Sequence, residues 1–225
     1  TRSSQRAVPF SVPQGSVLGP ILFLLYMADM VKLVESHSLC PHLYADDTQV
    51  YGFCRPGATD QLQARVSACI DDVVQWMRSN RLQLNTAKTE VIWCKSSQRQ
   101  HQIPQAAVAV GADAVVPVRA VRDLGIHLDS DLSMRTHVSK TVSCCFSTLR
   151  QIRSIRRTVT KPVLQSLVVA LVLTRLDYGC ATLAGLPDVQ LHRLQAVQNA
   201  AARLIFSARK YDHDCIATST TTPLA

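Results

Sequence analysis

The 225-residue sequence predicts an α+β fold: hairpins and helices over residues 1–132, then helices alone over 133–207. Three observations carry this. Short β-prone runs bounded by turn residues fall in the first 132 residues. Apolar residues at helical spacing recur along the chain and are the sole periodicity after Asp131. Charge changes at the same place: residues 1–132 hold 12 basic and 12 acidic side chains, residues 133–225 hold 12 basic and 4 acidic. The net charge of +8 therefore belongs to the helical part, and it points to a polyanionic partner.

The elements follow in order. Residues 1–12 are polar, then β-prone at 10–12, and Pro13, Gln14, Gly15 and Ser16 supply turn chemistry. Pro20 suits the first turn of a helix running to about Ser36, apolar almost all round and so expected to be buried. Residues 42–52 place two β-prone arms around Asp46 and Asp47, a hairpin with the carboxylates at its tip. Leu62, Val66, Cys69, Ile70, Val73, Val74 and Met77 form a helical stripe over 59–80, with Thr59 or Asp60 as its cap. Residues 82–94 read as a turn and a strand, 95–106 as a polar loop, and 107–110, 114–118 and 121–128 as short strands. Beyond Asp131, Val138, Val142, Cys145, Leu149 and Ile152 step by alternating fours and threes. Arg150, Arg153 and Arg157 form a second stripe one position round the same helix. Thr160 and Pro162 open another helix, and Pro187–Asp188 a third with Leu191, Leu194, Val197, Ala201 and Leu204 on one face. Residues 208–225 are expected to be a poorly ordered tail.

Composition excludes collagen, a disordered chain and a disulfide-dense miniprotein. The eight cysteines include no C-x-x-C pair, and several occupy apolar helical positions, which predicts reduced thiols in an intracellular setting. The apolar runs at 21–27 and 163–173 are shorter than the ~20 residues that span a bilayer, so no membrane partner is expected. His127, His137 and His192 lack metal-ligand spacing. Trp76 and Trp93 sit in apolar patterns and are read as core.

Asp46 and Asp47 are adjacent carboxylates with no Lys or Arg between Lys32 and Arg55. Like charges this close need water, a raised pKa or a cation. A hard divalent ion is the natural relief, since Mg²⁺ takes one or two carboxylates together with substrate phosphates. Taken alone, the pair reads more readily as a surface turn, where Asp is common.

Context reverses that order. Tyr44–Ala45–Asp46–Asp47, preceded by Pro13–Gln14–Gly15–Ser16–Val17–Leu18–Gly19–Pro20 and followed by Leu84–Asn85–Thr86–Ala87–Lys88–Thr89–Glu90, resembles the reverse transcriptase of non-LTR (LINE-type, jockey-like) retrotransposons. Leu124–Gly125–Ile126–His127–Leu128–Asp129, Arg175–Leu176–Asp177–Tyr178–Gly179 and the 194–205 segment agree with it, so the likeness spans roughly residues 8–213. The resemblance implies a partial polymerase palm over 1–132 and a helical thumb and C-terminal region over 133–207. It implies that Asp46 contacts catalytic Mg²⁺ (Mn²⁺ being the alternative), with Asp47 supporting. Gln14 and Gly15 match positions beside the incoming dNTP and template, Lys88 lies near the triphosphate, and Tyr44, which strand alternation puts on the face of Asp46, lies on the face that meets the primer end. Gly15 also makes physical sense there, since a missing side chain lets backbone approach a ligand. Leu124–Gly125 resembles the hairpin that grips the primer.

The implied reaction is RNA-templated DNA synthesis, in which a primer 3′-oxygen attacks a dNTP α-phosphate and two metal ions carry the charge. RNA template, DNA primer and dNTP are thus the implied partners, in a nuclear or cytoplasmic ribonucleoprotein. The family's fingers and its earlier Asp-bearing strand lie upstream of the Pro-Gln-Gly segment, and only 12 residues precede Pro13 here. Ser11 also stands where the family usually has Gly. A fragment unable to polymerise by itself is expected. Arg150, Arg153 and Arg157 would track a phosphate backbone, the plainer alternative being a solvated helix face. The competing function is a non-catalytic nucleic-acid-binding remnant. The Tyr178 and Gln198 segments suggest nothing beyond packing.

Overall fold

The computed structural model describes residues 16–207 and is α+β. The expected strand at 10–12, the positions Gln14 and Gly15, and the tail over 208–225 lie outside the described residues. The elements divide into two compact units, one running through Val91 and resuming over Pro104–Pro117, the other formed by Ile92–Ile103 and the chain from Val118 onward.

In the first unit, helix α1 (Leu18–Ser36) begins two residues before Pro20. The expectation that it is buried is corrected. Met27, Met30 and Val34 are enclosed, whereas Leu18, Ile21, Leu22, Leu24, Leu25 and Tyr26 stay exposed. The helix is apolar on nearly every side, but α2 and β1 pack against only one of them. Strands β1 (Cys40–Tyr44) and β2 (Asp47–Tyr51) pair antiparallel, Cys40 opposite Tyr51 and Tyr44 opposite Asp47. Gly52 follows at a point of close approach, since a Cβ there would stand 2.6 Å from Leu39 Cδ2 and 2.9 Å from Leu62 Cδ1.

Helix α2 (Thr59–Ser79) carries the predicted stripe, with Leu62 and Cys69 buried and the other stripe residues half-buried. Its N-cap is Ala58, with no side-chain cap bond, rather than Thr59 or Asp60. Three contacts tie α2 to α1: Tyr26 Oη donates to the Asn80 carbonyl, the Tyr26 and Trp76 rings lie 6.3 Å apart, and His37 Nε2 meets Asp72 Oδ2 at 2.8 Å. A hairpin of β3 (Val108–Val110) and β4 (Asp113–Val115) completes the unit, with Val108 and Val110 buried and β3 against α2.

In the second unit, the expected strand within 82–94 reduces to one isolated bridge, Ile92 opposite Val118. The polar loop contains a 3₁₀ turn, Ser97–Gln102. Residues 121–128, read from their pattern as one strand, form the hairpin that the resemblance implies at Leu124–Gly125: β5 (Ala120–Asp123) with β6 (Ile126–Asp129). It reverses at Leu124 and Gly125, both at positive φ (44° and 88°), the geometry a two-residue turn needs to match strand twist.

Helix α3 (Arg135–Ile155) buries Val138, Val142, Cys145, Leu149 and Ile152, the whole predicted stripe. α4 (Lys161–Val168) starts after Thr160 and continues through a π-turn, Val169–Leu173, into α5 (Thr174–Asp177). The π-turn has a physical reason. Leu164, Val168 and Val172 are buried at a strict spacing of four, which drifts about 40° per step on an α-helix, and a wider turn recovers the phase. α6 (Asp188–Phe206) buries Val197, Ala201 and Leu204 against α3 and α4. Here the expected face needs correcting: Leu191 is exposed, and Gln190 takes the inward position one residue earlier.

Among the described residues no helix is long and apolar enough to cross a membrane. The seven described cysteines are free. Cys69 and Cys145 are buried as small apolar groups, and desolvation raises their thiol pKa values. Trp76 and Trp93 are half-buried rather than core.

Candidate functional site

Strands β1 and β2 are joined by two residues, Ala45 and Asp46, so the acidic pair straddles a turn and a strand start. Asp46 sits in the turn and Asp47 opens β2. Both are exposed, and neither forms an ion pair with a described cation. Ala45 takes φ +52°, a region L-residues occupy at a cost, so the tip is held in a strained reversal.

Strand alternation ends at Tyr44 and cannot place it beside Asp46. Its direct cross-strand partner is Asp47, and opposed residues project to the same face. Tyr44 is 62% exposed, so an aromatic ring and two carboxylates stand together at one open tip.

Two adjacent carboxylates are hard oxygen donors of the kind Mg²⁺ accepts, and they fit part of such a site. No group of three His, Cys, Asp or Glu side chains positioned to hold a metal exists among the described residues. Lys88 sits on a 3₁₀ turn, Thr86–Lys88, whose geometry is set by Asn85: its carbonyl accepts from Lys88 N–H at 3.1 Å and from Thr89 Oγ1 at 3.0 Å. Lys88 is exposed, and among the described residues no hydrogen bond or ion pair links it to the tip.

Arg150 and Arg153 project from α3 and are exposed. Arg157 lies beyond the helix end, past the capping residue Arg156, so the predicted stripe is two helical arginines and one in the following turn. The three carry no ion pair within the described residues. Residues 133–207 hold 10 basic side chains and 2 acidic ones, so little cancels this field.

Two features, Asp129 and Gln190, escaped sequence reasoning, while His137 is the satisfied histidine its setting suggested. The buried Asp129 acts as a remote cap for α3, its Oδ2 accepting from Thr136 N–H at 3.0 Å and Ser133 Oγ at 3.4 Å. Beside it, His137 is buried, its Nδ1 accepting from His127 N–H at 3.4 Å, and desolvation lowers the pKa of both histidines. Gln190 Nε2 donates to the Ser133 carbonyl at 3.0 Å. The usable signal was phase: counting back by four from Leu194 lands on Gln190, not Leu191. Asp129 left no local signal, because its partner is seven residues away across a turn.

Residues 1–128 match the family model of reverse transcriptase (RNA-dependent DNA polymerase). The probable RNA-directed DNA polymerase from transposon X-element of Drosophila melanogaster is 28% identical over 90% of this chain and 22% of its own length. The RNA-directed DNA polymerase from mobile element jockey of Drosophila funebris is 30% identical over 61% of this chain and 15% of its own. The probable enzyme from transposon BS of Drosophila melanogaster is 26% identical over 93% and 24%. The chain thus spans no more than about a quarter of the length of these relatives. No solved structure matches it. More than half of the sequence falls within the matched family model, and the chain belongs to the reverse transcriptase (RNA-dependent DNA polymerase) family.

Proposed function

We propose that this chain is the carboxylate-bearing palm segment and the adjoining thumb of an RNA-directed DNA polymerase. The observation that carries this reading is the exposed Asp46–Asp47 tip, unneutralised by any described cation, in a chain of this family. Asp46 would hold Mg²⁺ directly and Asp47 would support it, with Mn²⁺ as substitute. When bound, the ion neutralises charge on the dNTP phosphates. Tyr44 presents its ring on the Asp47 face, where a primer terminus would stack. Lys88 would add positive charge at the triphosphate, and Gln14 and Gly15 would line the nucleotide pocket. Arg150, Arg153 and Arg157 would hold the template–primer backbone.

Among the described residues no third acidic side chain joins Asp46 and Asp47, so the isolated chain is expected to bind a primer–template but not extend it. The test pairs two measurements on purified 1–225: binding of an RNA template annealed to a DNA primer, and primer extension with dNTPs in Mg²⁺ or Mn²⁺. Salt-sensitive binding without extension is the expected result. Extension would refute the incompleteness of the site, and absence of binding would refute the polymerase reading of the helical region.

A further inference from the structure

Tyr178 follows directly on α5, its backbone already extended at φ −63°, ψ 121°. Although its ring is half exposed, its hydroxyl donates to the Leu124 carbonyl 54 residues earlier. The same ring covers Gly125: a Cβ there would stand 3.1 Å from Tyr178 Cε1 and 3.4 Å from Oη. Gly179 completes the fit from the other segment, since a Cβ on it would lie 2.7 Å from Ile126 Cδ1. The ring thus lies directly over the one glycine of the hairpin turn, with Ile126 packed on Gly179 beside it.

The opposite end of the hairpin is anchored separately. Asp129 caps α3, and the Ser130 carbonyl accepts from Lys95 N–H at 2.9 Å. Two four-residue strands are marginal on their own. With the base fixed at Asp129, the position of the tip depends on Tyr178.

We propose that Tyr178 is a positioning residue that fixes the Leu124–Gly125 turn where this hairpin meets the primer end of a template–primer duplex held by α3. The proposal rests on the polymerase reading above. Without Tyr178 the duplex would still bind through phosphate contacts to the arginines, which supply most of the affinity and its salt dependence. The terminus would lose its fixed surroundings.

The test uses the whole 225-residue chain and an RNA template with a DNA primer bearing 2-aminopurine at its 3′ end. Tyr178→Ala is expected to speed amide exchange over residues 120–129 by about tenfold or more. It should also change the fluorescence of the primer-terminal base while leaving the salt dependence of binding as in the wild type. Tyr178→Phe keeps the ring over Gly125 and should fall between the two; if Tyr178→Ala does not fold, Tyr178→Phe alone decides. Unchanged hairpin exchange, or unchanged terminal fluorescence in a variant whose hairpin has loosened, overturns the proposal. The underlying reading fails differently: the wild-type chain then does not bind the duplex, and the proposal falls with it.

Discussion

Ala45 and His137 show how much single positions owe to their surroundings. At φ +52°, Ala45 occupies the left-handed region, which costs an L-residue about 1–2 kcal/mol. Ala45→Gly should therefore tighten the hairpin, and slower amide exchange across β1 and β2 would register it. Gly also loses more entropy on folding, so the net gain should stay within about 1 kcal/mol. His137 is the pH-sensitive counterpart. Burial disfavours its imidazolium and lowers its pKa from 6.5, against an opposing pull from Asp129. As pH falls below 6.5, the unfolded chain takes up the proton before the folded one does, so stability declines with acidification and is flat above that value. His127 adds in the same direction, its pKa lowered by desolvation and by Lys140, His137 and Arg122 against Asp129. Melting temperatures followed from about pH 7.5 to about pH 5 should drop, and His137→Asn, which keeps an acceptor, should flatten the curve.

Between elements, packing phase decides the outcome. The core of the helical region is built from α3, the α4 run with its π-turn, and α6, all meeting around Val138, Cys145, Ile152, Val168, Val172 and Val197. Ile152→Ala should cost about 2–5 kcal/mol in urea denaturation, because a 3%-exposed side chain leaves a cavity. Leu191→Ser, on the face the structure leaves open, should stay within about 0.5 kcal/mol. The pair discriminates the observed phase from the one Leu191 suggested. Periodicity made α2, α3 and α6 legible as helices, since their apolar residues repeat at 3.6. It left α1 ambiguous, because a helix apolar on every side does not say which side finds a partner. Period 2 was too short a signal to separate the β5–β6 hairpin from a single strand, for the reversal at Leu124–Gly125 is sealed by Tyr178 from far along the chain.

Across the whole molecule, charge is the dominant pattern: a neutral first part and a helical part carrying the entire excess of +8. If Arg150, Arg153 and Arg157 meet phosphates, a plot of log affinity against log salt should lose about one unit of slope for each one replaced by Ala. Fluorescence anisotropy with the template–primer duplex measures this. Slopes unchanged in all three variants would mean these side chains are simply solvated.

The ordered motifs were enough to carry the resemblance to the family, and periodicity with turn residues the α+β class, because covalent order and residue chemistry are properties of the chain itself. The acidic tip was readable for the same reason: turn residues and β-prone arms act over a few neighbours. Only tertiary structure decided that Tyr44 faces Asp47, that Gln190 rather than Leu191 turns inward, that Asp129 caps a helix seven residues away, and that Tyr178 seals a turn 54 residues back. Each of these depends on atoms brought together through space, and local propensity does not encode which distant groups will meet.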